Sequence, residues 1–201
     1  MSGLEVPKHK AYFDVVTLGE LTPSSLIPIH RVTIHLVAYL ASVSSIWSGE
    51  PSSAWGYDFS VDQEGFPLAR ELDVALAAAE RRGVLVRADE DLLQVDKDRI
   101  SIEKILYSQS SQYLDRHKHL HHAIISILAL PSGIARSAVN NSAGVRTAIR
   151  HRNTTLLHRE PHVVELVSHY QQLLEAVESH NAPSSMLSLW LSAMYNTVEA
   201  A

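Results

Sequence analysis

The chain of 201 residues contains no cysteine, which excludes disulfides, thiolate metal sites and a cysteine nucleophile together. That absence fits a reducing compartment, and the cytoplasm is the expected location. Long apolar runs are missing too. The longest, residues 123–130, is sized for a core and falls well short of the roughly 18 residues that span a bilayer, so no membrane partner is expected. The N-terminal MSGLEVPKHKAYFDVV lacks the apolar stretch of a signal peptide. The eight glycines are scattered and form neither a phosphate-cradling GxxxxGK[ST] nor a GxGxxG turn. No GxSxG elbow is present, and the acids lack the spaced acid-x-Lys pair of restriction-type nucleases. No catalytic set, cofactor or metal is expected, and the chain reads as a binding protein.

What is present is a mixed composition, 46% hydrophobic, ample for one domain or two small ones. Its net charge of −5 conceals a partition. Residues 1–115 hold 17 acids and 10 bases. From Arg116 to Arg159 there is no carboxylate, while Arg116, Lys118, Arg136, Arg146, Arg150, Arg152 and Arg159 supply seven positive charges and six of the twelve histidines gather. Residues 160–201 carry five Glu and no base. Such a block points to phosphates, to an acidic partner, or to the acidic half of the same chain.

Periodicity predicts a mainly α (α+β) fold in two parts: a winged-helix-like module with a small β-hairpin wing over residues 1–101, then an all-helical half over 102–201. Tyr12–Val16 reads as a short strand or extended docking segment. A core stripe of Val32, Leu36, Tyr39, Leu40 and Val43 predicts a helix over 29–47. An aromatic strand is expected around Tyr57 and Phe59, and a helix over 68–82 ends at Gly83. Val84–Val86 and Leu92–Val95 then form the hairpin. Helical patterns follow at 102–130, 134–149, 162–179 and 184–199.

In a DNA-binding winged helix, the 68–82 segment would enter the major groove. Here Arg70, Arg81 and Arg82 are offset by Glu71, Asp73 and Glu80, and the wing carries Asp89, Glu90 and Asp91, which repel phosphates. Contact with nucleic acid or an acidic partner is therefore assigned to Arg136, Arg146, Arg150, Arg152 and Arg159. Trp47, Trp55 and Trp190 are candidate interface anchors, with the core as their other natural place. His117 and His121, four residues apart, have zinc-compatible spacing, yet no carboxylate completes a site. Arg116–His121 and Arg146–His151 also fit the loose R-x4-H pattern of all-helical HEPN ribonucleases, a pattern that chance alone produces in so Arg- and His-rich a chain.

The run LTPSSLIPIHRVTIHLVAYLASV, then WGYDF, then GFPLARELDVALAAAERRGVLV resembles the small middle components of bacterial ABC-three-component systems, over roughly residues 12–130. The likeness is one of pattern and transfers no individual site residue. It implies a non-catalytic winged-helix subunit that bridges or regulates an SMC-like ATPase, alongside an effector subunit (a nuclease or other enzyme), in Lamassu-type anti-phage or anti-plasmid defence. DNA would then be met through the complex. The competing expectations are a dimeric winged-helix transcription regulator and, behind it, a small RxxxxH ribonuclease.

Overall fold

The structure, a computed structural model, describes residues 6–61, 65–107, 111–131, 133–151, 155–157, 160–176 and 183–199. It is mostly helical with small antiparallel sheets.

The first helix, α1 (Val6–Leu21), occupies the stretch expected to hold a strand or docking segment. Residues 11–19 are all buried, so no polar stripe marks the helix in the sequence. Strand β1 (Ile29–His30) leads directly into α2 (Arg31–Trp47), in which every residue from Val37 to Trp47 is buried. Helix α2 is the axis of the molecule and packs against α5 (Ser111–Leu128), α8 (Glu160–Ala176) and α9 (Pro183–Glu199).

Strands β2 (Ser60–Val61) and β3 (Pro67–Leu68) precede α3 (Arg70–Arg81). After Gly83, at φ +72°, come β4 (Leu85–Arg87) and β5 (Leu92–Val95), paired antiparallel with Val86 opposite Gln94. Strand β1 adds to the other edge of β5, giving the order β1-β5-β4. The helical run expected over 102–130 is divided into α4 (Lys97–Tyr107) and α5, and the run over 134–149 into α6 (Ile134–Asn141) and α7 (Ala143–His151). The break between α6 and α7 is Ser142, whose ψ of 145° leaves the helical region.

The C-terminal half is not all helical. Strand β6 (Thr155–Leu156) pairs antiparallel with β2, placing Ser60 opposite Leu156, so the order of the second sheet is β3-β2-β6. A single apolar core also runs through both halves, from Val15 and Leu18 through Leu40 and Leu72 to Leu120, Leu166 and Trp190. The boundary expected near residue 101 therefore divides the sequence without dividing the core.

Helix α1 is fixed against α4 by close packing, by a lysine cap and by the surface ion pair of Glu20 with Lys104. Gly19 lets the helices touch, since a Cβ there would lie 2.6 Å from Ile100 Cδ1. The Lys97 ammonium donates to the carbonyls of Gly19, Glu20 and Thr22 at 2.8, 3.0 and 2.9 Å, capping the C-terminus of α1 where the helix dipole favours a cation. Replacing Lys97 by Met keeps the stem and removes the donors. We expect Lys97→Met to lower stability by about 1 kcal/mol in urea denaturation, the net value of charged hydrogen bonds discounted for exposure.

Candidate interaction surfaces and buried polar network

A buried ion pair joins the two halves. Asp14 of α1 is fully buried and Arg116 of α5 is 5% exposed. Arg116 donates through Nε to Asp14 Oδ1 at 2.9 Å and through Nη2 to Oδ2, while Nη1 reaches the Trp55 carbonyl at 2.7 Å. Tyr57 donates to Asp14 Oδ2 at 2.6 Å, and the guanidinium lies 3.9 Å over the Trp55 ring. Burial, then the Asp14 charge, raises the Tyr57 hydroxyl well above its ordinary pKa. Every charge in this cluster is consumed internally, so Arg116 supports neither a basic surface nor an R-x4-H couple with His121.

His35 and His119 are held in internal hydrogen bonds. His35 Nδ1 accepts from the Ala69 amide at 3.2 Å, which leaves Nε2–H to face Asp73 Oδ1 at 3.2 Å. Arg31 meets the same oxygen at 3.1 Å, tying α2 to the first turn of α3. The His35 bond is the chief cause holding the Asp73 carboxyl below its usual range. His119 places Nδ1 3.1 Å from Ser44 Oγ and Nε2 3.5 Å from Glu50 Oε1. This is the connectivity of a nucleophile, base and acid, but Ser44 lies in the last turn of α2 and is fully buried, so its hydroxyl is closed off from solvent. His117 and His121 stack with centroids 6.4 Å apart, and among the described residues no group of three or more potential ligands gathers around them or elsewhere.

Around α3 and the hairpin, bases are matched by acids. Arg82 holds Glu103 at 2.9 and 2.7 Å, and Arg87 holds Glu80 at 3.0 Å. Asp89, Glu90 and Asp91 stand exposed at the hairpin tip. The outward side of α3 presents Arg70, Val74 and Arg81 and is close to neutral once Glu71 and Asp73 are counted.

The basic block separates into different fates. Lys118 pairs with Asp115 at the surface, and Arg136 stacks 3.9 Å over Phe66 while staying exposed. Arg146 and Arg150 sit one turn apart on the solvent side of α7. Arg152 and Arg159 lie outside the described residues.

The three tryptophans occupy the core and offer no ring to a partner. Trp47 donates to the Leu166 carbonyl at 2.9 Å, stacks on Tyr170 and meets Trp190 edge-on. Trp190 and Trp55 are each 1% exposed. Trp47 and Trp190 fill the space between α2, α8 and α9, and their N–H groups find internal acceptors at Leu166 and His169, while the buried Trp55 Nε1 has none. The large exposed apolar side chains are aliphatic and were missed by reading aromatics alone, the most exposed among the described residues being Ile102 (59%) and Ile105 (69%) on α4, Leu114 (55%) on α5 and Val164 (62%) on α8. The signal was available, because Ile102 and Ile105 lie one turn apart on the face of α4 opposite buried Ile100 and Glu103. A groove of about 750 Å³ runs beside α2, α5 and α6, lined by Leu26, Leu36, Phe66, Ile127 and Leu130.

Comparison with known proteins returns no matching family model, no similar curated protein and no similar solved structure. Among the described residues no helix is long and apolar enough to cross a membrane.

Two measurements follow. Breaking the buried pair through Asp14→Ala strands a charge and should cost about 3–5 kcal/mol, whereas Asp14→Ala combined with Arg116→Met should cost clearly less than the sum of the single changes in a denaturation cycle. Burial also holds His117, His119, His122 and His162 below the ordinary 6.5. The unfolded chain thus binds more protons than the native one just below pH 6.5, so stability is full above that value and falls as pH drops beneath it. The urea midpoint should begin to decline near pH 6, and His162→Gln should make that decline shallower.

Proposed function

We propose that the chain is a non-catalytic accessory subunit that bridges or regulates an SMC-like ATPase in a prokaryotic anti-phage or anti-plasmid complex, through a winged-helix-like module adapted to protein contact. The observation that carries this reading is the combination of element order and charge. Helix α3 followed by a hairpin, with β1 adding to a sheet of order β1-β5-β4, supports the winged-helix-like reading. Its groove-reading helix is nevertheless neutral and its hairpin tip acidic. Phosphates are repelled by such a surface and a protein partner is not. The resemblance to ABC-three-component middle components supports the ATPase as that partner and places the effector chemistry on another chain. The exposed isoleucines of α4, which abuts the same module, give the contact an apolar centre.

The transcription-regulator reading shares the element order but needs a basic reading head, which α3 does not provide. The ribonuclease reading needs a free Arg116, whose guanidinium is spent on Asp14.

Affinity capture of the tagged chain from its native host tests the proposal. A large coiled-coil ATPase should co-purify with and without nuclease treatment, and an Ile102→Asp/Ile105→Asp chain should recover at least about tenfold less of it. Recovery of DNA alone, or of no ATPase, overturns the reading.

A further inference from the structure

Residues 134–151 form two short helices whose inner faces are fixed by small, close contacts. Ala135, Ala138 and Val139 of α6 and Val145 and Ala148 of α7 are buried, and Asn141 Nδ2 donates to the Met194 carbonyl at 3.0 Å, anchoring the pair on α9. Gly144 approaches His162 so closely that a Cβ would lie 2.9 Å from its ring. The outer face is thereby determined. Its exposed side chains, among those described, are Arg136, Ser137, Arg146, Thr147 and Arg150. No carboxylate lies anywhere in this segment, or within the whole of 116–159. Arg136, Arg146 and Arg150 meet no carboxylate among the described residues.

From this we infer that the α6–α7 face binds the phosphate backbone of duplex DNA without reading its sequence. Three features select this partner. Among the described exposed side chains here, the guanidinium groups of Arg136, Arg146 and Arg150 and the Ser137 hydroxyl are donors that phosphates accept from. Arg146 and Arg150 stand about 6 Å apart on one helix, within reach of neighbouring phosphates, while the Phe66 ring holds the Arg136 guanidinium and leaves its N–H groups at the surface. An interface with an acidic protein would add an apolar centre, and single-stranded nucleic acid would add stacking aromatics. The described exposed side chains of α6 and α7 include no large hydrophobic one, and of the three arginines only Arg136 borders the apolar groove beside α2 and α5, while Arg146 and Arg150 stand away from it. This inference does not depend on the ATPase partner, since it concerns a surface remote in sequence from α3, the hairpin and α4.

The test is fluorescence anisotropy of the full-length chain with a mixed-sequence 30-base-pair duplex. With three phosphates neutralised, log affinity should fall with log salt at a slope of about −2.7, roughly 40-fold between 50 and 200 mM. Arg146→Gln/Arg150→Gln should weaken binding at least about tenfold at 50 mM and reduce the slope to about −1. Arg70→Gln/Arg81→Gln on α3 should leave both unchanged, and scrambling the duplex should change nothing. All four positions are exposed, and unchanged thermal melts would establish that the variants fold. Absence of binding by the parent chain at 50 mM salt overturns the inference. So does loss of binding in the α3 variant alone, or displacement of the duplex by polyglutamate at equal charge, which would identify an acidic protein as the ligand.

Discussion

Placing Arg116 against Asp14 takes two full charges out of water, a step that costs several kcal/mol per ion unless geometry and hydrogen bonding repay it. Here that repayment is visible: the guanidinium is bidentate on the carboxylate, its Nη1 donates to the Trp55 carbonyl, and Tyr57 supplies a further donor to Asp14. Much else follows from that arrangement. Helix α1 is buried over residues 11–19 because its one core carboxylate has this partner, and the 55–57 loop is held because it contributes a carbonyl, a ring face and a hydroxyl. The pair also stitches the acidic half of the chain to the basic block, making them faces of one core.

The same pairing changes how the charge partition is to be read. A count along the chain assigns seven positive charges to 116–159 as though each were available. In three dimensions Arg116 is internal and Lys118 is answered by Asp115, a surface pair worth little to stability but enough to neutralise the site locally. The positive field is therefore displaced toward α6 and α7. On the opposite account, Asp73, Glu103 and Glu80 near α3 are occupied with Arg31, Arg82 and Arg87, while the carboxylates at the hairpin tip remain exposed. The molecule has distinct electrostatic poles, and neither coincides with the full sequence blocks.

Legibility in the sequence tracked amphipathicity. Helix α3 and the hairpin were readable to within two residues, because α3 has one wet face and Gly83 terminates it. Helix α2 was readable from its start, where Arg31, Val32 and Thr33 are only half-buried. Helix α1 was not, since a helix buried on every side leaves no period of 3.6, and a lone Asp14 in an aromatic run resembles a strand edge more than a core ion pair. Strand β6 is two residues long and exists only because β2 is beside it, a non-local fact. The tryptophans were ambiguous in principle, as a ring that anchors an interface and one that fills a core share a composition. Arg146 and Arg150 were legible as solvent-facing neighbours one turn apart, because unpaired charge at a helical spacing stays on the wet side of a helix.

Strand β6 has a further implication, for the order in which the chain acquires its shape. Its partner β2 lies 95 residues earlier, and the arginine that neutralises Asp14 arrives 102 residues after it. Long-range closures of this kind are slow and contribute only after their entropic cost has been met. During synthesis, α1 emerges with an unpaired acid amid apolar side chains and waits for α5, and β2 and β3 wait longer still for β6. The nascent N-terminal half is thus a client of its own C-terminal half, which makes the ribosome-bound interval the period when this protein is most exposed to misassembly.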